Sequence, residues 1–428
     1  MMSRWRFVLA RLARSLLLRA MLYAALAVAT ALAAVLLERL IPDGAAVRMG
    51  ADAVDSILTI LASSMLAVTT FSLSTVVTAH ASATAGATPR AARLMIEDRS
   101  AQAALATFVG AFLFSIVGIV ALSAHIYGSE GRAVMFVVTI AVIVVVVVRL
   151  IGWIDLILRL GRIDETIARV ERAADGAIQA IAASPRLGGR PFAGIPEGAQ
   201  PVTAERPGHI QHLDVEQLQR VAEGKDITIF VVALPGDGVD PARALAWLPA
   251  GSADEEARKA VRGAFLVGDA RTFEQDPVYG LAVLAGIASR ALSPAMNDPG
   301  TGLDVVVAQV RVLTRWIEGR RAARPELLHP RVHVPALPAE TLVDEAFTPI
   351  ARDGAGIVEV AVAVQRALAA LAASGDAEVA AAARRQAGLA LARARAALAL
   401  DDDRQRVEAA FAATTTGAAG QDGGDPTT

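Results

Sequence analysis

Cysteine is absent from all 428 positions, which removes disulfides, thiolate metal sites and a cysteine nucleophile. Lysine is almost absent as well: among 41 basic residues only Lys225 and Lys259 are not arginine. The six histidines are scattered, and no nucleophile–base pair can be picked out. No P-loop, Rossmann glycine fingerprint, nucleophile elbow or zinc motif occurs. No catalytic residue, metal or cofactor is therefore expected. The formal net charge is −2, so no overall field points to a nucleic-acid partner. What the chain does have is apolar surface: 54% of its residues are hydrophobic, too many for one soluble globule. Its length allows about three units at ~150 residues each.

A membrane span needs about 20 apolar residues, within a range of roughly 17–25. Four segments qualify, 20–37, 57–79, 101–124 and 133–154, so a four-helix transmembrane domain is expected over residues 1–155. The first follows arginines as a signal peptide would. Its apolar run is longer than a usual signal core, and Glu38 and Arg39 follow without a cleavage signature, so it reads as a retained anchor. Arg4, Arg6, Arg11, Arg14 and Arg19 precede the first span, Arg90, Arg93 and Arg99 separate the second from the third, and Arg149, Arg159 and Arg162 close the fourth. The other side has Arg39, Arg48 and Arg132. This bias predicts a multi-pass protein of a bacterial inner membrane with both termini cytoplasmic.

The second span, ILTILASSMLAVTTFSLSTVVTAH, is rich in hydroxyls. Hydroxyls let helices approach and bond across an interface, and they also substitute for hydration along a water-filled path. Ser63, Thr70 and Ser74 are the candidate pore-lining residues, with Asp52 and Asp55 at the outer mouth. Those two carboxylates either complement the helix dipole or, in several copies around an axis, form a cation-attracting vestibule. Apart from Arg149, no charged residue lies inside a span, so the buried relay of a proton-coupled pump is not expected.

Beyond the spans, residues 156–185 carry apolar positions at three- and four-residue spacing and are expected to form an amphipathic stalk helix. Residues 186–200 read as a linker rich in proline and glycine. Residues 201–255 hold short strands, one helix and the PGDG turn, and predict a small α+β module of barrel or sandwich type. That module loosely resembles a biotinyl or lipoyl domain in its possible fold alone, since no lysine stands in a hairpin to be modified. Residues 256–412 predict a helical domain, and 413–428 a disordered tail. His209 and His212, three apart on a strand, face opposite sides, and Pro330 prevents a helical pairing of His329 with His333.

The densest polar motifs lie in ARTFEQDPVYGLAVLAGIASRALSPAMNDPGTGLD. Asp276-Pro277 and Asp298-Pro299 are two helix starts, each a capping carboxylate followed by proline at the first helical position, and Ser293-Pro294 stops the first helix. Arg271, Thr272, Arg290, Asn297 and Thr301 are left around this joint. They make either an anion site at a helix N-terminus or a structural ion pair between Arg290 and Asp276 or Asp298.

These stretches, together with SSMLAVTTFSLSTVV, TPRAARLMIEDRSAQAALATFVGAFLFSI and GHIQHLD with ALPGDGV, resemble the bacterial membrane proteins of domain-of-unknown-function family 2254. The resemblance covers most of residues 15–350 and implies fold and topology. His209 stands where that family usually has tyrosine. Two functions compete. One is a homo-oligomeric channel or permeation protein with a cytoplasmic assembly or gating domain. The other is a membrane-anchored sensor or scaffold whose cytoplasmic domain binds an anionic ligand or a protein. An enzyme ranks third.

Overall fold

A computed structural model describes residues 53–86, 88–91, 99–124, 129–159 and 162–416, with the isolated positions 25 and 29. The expected first span and Asp52 lie outside the described residues, the two isolated positions apart. The apolar runs that follow form three long helices: α1 (Val54–Gly86), α2 (Arg99–Ser123) and α3 (Ser129–Arg159). Each holds a stretch long and apolar enough to cross a membrane, Val54–Ala79, Ser100–Ser123 and Arg132–Leu158. Even the 24-residue stretch of α2 reaches about 36 Å at 1.5 Å per residue, more than the ~30 Å hydrocarbon core. The second, third and fourth of the expected spans are thus the three that fall among the described residues.

Two apolar clusters join these helices. Leu58 meets Phe114, Leu122 and Met135, while Leu61 and Met65 meet Phe108, Val146 and Trp153. Gly118 permits the approach, because a Cβ there would stand 2.9 Å from the Met135 Cε and 3.0 Å from Leu58 Cδ1. On α3, Val144, Val148, Ile151 and Leu158 stay exposed, as lipid-facing positions must be apolar.

The chain divides into two units, and the second holds everything from Ile163 onward. It begins with α4 (Ile163–Ala183), which lies within the segment expected to form an amphipathic stalk helix. Its Ile167, Val170, Ala174, Ile178 and Ala182 are buried, and the helix packs on α7 (Pro277–Ala291) and α8 (Pro299–Ala322). Gly280 on α7 makes that packing possible: a Cβ there would overlap that of Ala174 and lie 2.8 Å from the Ala174 Cα. Glu171 on α4 accepts from Arg311 at 2.9 and 2.6 Å and from Arg315 at 2.9 Å, both on α8.

The hydrogen bond from Arg311 is the main reason the Glu171 carboxyl lies below the ordinary range. Burial opposes it, and Arg315 adds to it. A folded value below the unfolded one means the contribution is complete above the ordinary glutamate pKa of about 4.3 and is lost as pH falls through the lower folded value. Wild type should accordingly lose unfolding temperature towards pH 3 more steeply than Glu171→Gln, and the gap between the two should close at the acid end. Parallel curves in a thermal melt series would contradict this.

Between α4 and α7 lie the strands. β1 (Gly189–Pro191), β2 (Gln200–Thr203), β4 (Ile229–Val231), β6 (Ala244–Leu248) and β8 (His329–Val334) form one sheet in the order β1-β8-β4-β6-β2. β3 (Gly208–Leu213), β5 (Gly238–Val239) and β7 (Phe265–Gly268) form a second, in the order β5-β3-β7. Both sheets, α5 (Val215–Gly224) and α6 (Glu255–Gly263) share one apolar core that includes Ile210, Leu218, Ile229, Leu245, Val261 and Val332. The sheets are open, which corrects the expectation of a barrel-like module over 201–255. The first sheet takes β1 from the expected linker, and β8 arrives from beyond α8 to lie parallel between β1 and β4. A parallel strand needs a long crossover, and hairpin signals do not announce one. The alanine-rich remainder forms α9 (Ala339–Asp353), α10 (Val358–Ala372), α11 (Ala377–Ala397) and α12 (Asp401–Thr416), which carries the helical region four residues into the expected tail.

Candidate functional site

In the second unit three signature stretches meet: GHIQHLD on β3, the PGDG turn after β4, and ARTFEQDP before α7. Local chemistry accounts for each contact. Proline at 235 and glycines at 236 and 238 turn the chain, with Gly236 at φ +98. The turn is tied to β3 by Gly236 N–H donating to the Ile210 carbonyl at 2.8 Å and Ile210 N–H donating to the Asp237 carbonyl at 3.0 Å. Gln275 extends the same strand's pairing: its Oε1 accepts from Leu213 N–H at 2.7 Å and its Nε2 donates to the Leu213 carbonyl at 3.2 Å.

Asp276 caps α7 as the sequence indicates, accepting from Val278 N–H at 3.1 Å and Tyr279 N–H at 3.0 Å. Its side chain is 2% exposed and is gripped by Arg271, with Nε donating to Oδ2 at 2.7 Å and Nη2 to Oδ1 at 2.9 Å. Burial works against the guanidinium's charge, but the bonds and charge of Asp276 outweigh it and raise the Arg271 pKa. The guanidinium also lies 5.2 Å from the Tyr279 ring centroid. The Gly236 backbone touches this pair, since a Cβ there would stand 2.5 Å from Asp276 Cγ.

The residues grouped around the helix joint do not gather. Arg271 and Asp276 sit at the start of α7, and Arg290, Ser293, Asn297, Asp298 and Thr301 at its other end. Fifteen helical residues separate the two groups by about 22 Å. Arg290 therefore does not pair with Asp276. It is exposed, and among the described residues its guanidinium meets no carboxylate within ion-pair range. Arg271 takes the role expected of Arg290. The joint itself is the capped turn read from the sequence. Ser293 Oγ donates to the Arg290 carbonyl at 2.6 Å, and Asn297 holds φ +48. Asp298 accepts from Thr301 Oγ1 at 2.7 Å and Thr301 N–H at 3.1 Å, bonds that hold its carboxyl below the ordinary range.

Around the Arg271–Asp276 pair lies a cleft of about 230 Å³, walled by Ile181, Leu187, Leu234, Val278, Val334 and Leu337 and edged by Asp237. Loss of hydration pushes the Asp237 carboxyl up. A bond from Leu234 N–H at 2.7 Å opposes this, the charge of Asp276 adds to it, and Arg271 and Arg243 pull the other way. Asp237, Gly236 and Gln275 went unnoticed as site residues because PGDG and FEQ read locally as a turn and a loop. Among the described residues no three His, Asp or Glu side chains stand where they could hold a metal ion.

In the first unit, the face of α1 buried against the other helices carries Leu58, Leu61, Ala62, Met65 and Ser72. The expected pore-lining residues Ser63, Thr70 and Ser74 are exposed, on a stripe with Asp55, Thr59 and Thr78 at helical spacing. Thr59, Ser63 and Thr70 each donate to the carbonyl four residues back, at 2.9, 3.0 and 3.0 Å. Ile60 and Phe71 flank the stripe on one side and Leu66 and Leu73 on the other, all exposed.

Apolar helices of membrane-spanning length followed by an α+β unit define a membrane protein. The chain belongs to the family described as Predicted membrane protein (DUF2254), whose profile matches residues 13–370. An uncharacterised protein of Mycobacterium tuberculosis (strain H37Rv) and one of Mycobacterium bovis are each 33% identical over 117 residues. That segment is 26% of this chain and 22% of each relative's length. No solved structure matches the chain.

Proposed function

We propose that the protein is a homo-oligomeric permeation protein of the bacterial inner membrane. In this reading α1 faces the shared axis, and the second unit, in the cytoplasm, assembles or gates the pathway. One observation carries it: among the described residues the hydroxyl stripe of α1 points away from α2 and α3, so packing against those two helices is not what it serves. Bonds back to the helix carbonyls make those hydroxyls tolerable in lipid, yet their remaining lone pairs suit a second copy or water. A single subunit with so few helices encloses little space, so the pathway requires several copies.

A chain without cysteine makes the test clean. Ser74→Cys is expected to cross-link between copies on oxidation and to react with a hydrophilic thiol reagent, whereas Ile151→Cys on the exposed face of α3 does neither. In vesicles, Ser63→Leu/Thr70→Leu should reduce ion or small-solute flux about tenfold or more. A monomer in mild detergent, or vesicles as tight as empty ones, overturns the reading.

A further inference from the structure

We propose that the cleft beside the PGDG turn binds a small organic ammonium ion, with Asp237 as its counter-charge. The argument is an inventory of donors and acceptors. Four prolines line the cleft, Pro185, Pro235, Pro277 and Pro335, and proline offers a carbonyl but no N–H. Three backbone donors at the turn are engaged: Leu234 N–H on the Asp237 carboxylate, Gly236 N–H on Ile210 and Asp237 N–H on Leu234. Val278 N–H is held by Asp276, and the Gln275 amide by Leu213. The charge of Arg271 is answered by Asp276 at two points. An anion entering here would find its cation already neutralised, which turns the reading away from the anionic ligand expected of the sensor hypothesis.

Acceptors, by contrast, are available. Asp237 has one oxygen on Leu234 N–H, and its other oxygen has no hydrogen-bond partner among the described residues. With Arg271 and Asp276 cancelling, the charged residues lining the cleft sum to one negative charge, that of Asp237. A ligand must therefore bring its own donors and a positive charge, and an ammonium brings three N–H groups. The apolar walls suit a hydrocarbon body. The volume equals roughly seven or eight water-sized groups at ~30 Å³ each, which sets the size of that body. The prolines fix the walls before binding, so little ordering cost is added.

The carboxylate must be ionised to hold a cation. Loss of hydration in the cleft raises its pKa, so binding a cation draws the carboxyl back to the charged form and releases a proton. Affinity should rise with pH through that raised value. A neutral ligand that accepts a bond from protonated Asp237 would show the opposite slope. The charged groups facing Asp237 are Asp276, Arg271 and Arg243.

The experiment is calorimetric titration of the full chain in lipid nanodiscs with butylammonium, cyclohexylmethylammonium and 2-phenylethylammonium, each beside its matched alcohol and carboxylate. At least one ammonium should saturate a single site. Its alcohol should bind at least about tenfold more weakly and its carboxylate not measurably. Asp237→Asn keeps an acceptor for Leu234 N–H and should weaken binding about tenfold or more. Leu337→Trp leaves the carboxylate in place but fills the cleft, and it should abolish binding even if the first variant folds poorly. Failure of all three ammonium ions to bind wild type, equal binding of alcohol and ammonium, affinity that falls as pH rises, or undiminished binding by Leu337→Trp overturns the proposal. None of these outcomes depends on whether the chain conducts.

Discussion

Replacing Arg271 by alanine should destabilise the second unit by about 3–5 kcal/mol, because it leaves a buried carboxylate without its cation. Asp276 cannot relax towards water. Its side chain is 2% exposed, both oxygens are held in place, and the PGDG turn closes over it. Its bonds to Val278 and Tyr279 N–H also start α7, so disturbing the carboxylate frays a helix whose interior face is largely buried. Arg271→Lys should recover part of the loss, since an ammonium supplies the charge but not the two-point fork. Arg290→Ala, at an exposed guanidinium, should change stability by no more than about 0.5 kcal/mol. Thermal or denaturant unfolding of the detergent-solubilised protein separates these. Equal effects of the two alanine variants would mean that the Arg271–Asp276 clamp does not hold the helix start.

Gly236→Ala should cost about 3 kcal/mol or more, from two sources that a control can separate. At φ +98 any Cβ is strained, by about 1–2 kcal/mol. Here the added Cβ would also stand 2.5 Å from Cγ and 2.7 Å from Oδ1 of Asp276. Arg271 and two helix N–H groups hold that carboxylate, so it cannot yield without disturbing the clamp. Gly251 sits at φ +77, and a Cβ added there would meet nothing within 4 Å, so Gly251→Ala should show the conformational part alone. If the two variants melt at the same temperature, contact between the turn and Asp276 contributes nothing.

How far these features could be read in advance follows from their range along the chain. Asp276-Pro277 and Asp298-Pro299 were legible as helix starts because a cap is an interaction across two or three residues. The apolar runs of α1, α2 and α3 were legible because lipid imposes both a length and a composition. The hydroxyls of α1 were visible, but not their direction. Which face of a helix is buried depends on where Leu58, Leu61 and Met65 find Phe108, Phe114, Met135 and Trp153 on other helices.

The partner of Asp276 shows the boundary most sharply. Arg290 and Arg271 were both in view, and the choice between them was made by helix geometry, since α7 carries Arg290 one helix length away while the loop before it returns Arg271. PGDG was recognised as a turn. That it closes over a carboxylate some forty residues further on depends on the antiparallel pairing of β3 with β5 and β7. Sequence by itself determined the membrane-spanning class, the helix starts and the turns, because each rests on hydrophobicity or on neighbours within a few residues. Tertiary structure alone decided the open sheets, the packing of α4 and the cleft beside Asp237, because each depends on contacts between segments whose separation no local pattern encodes.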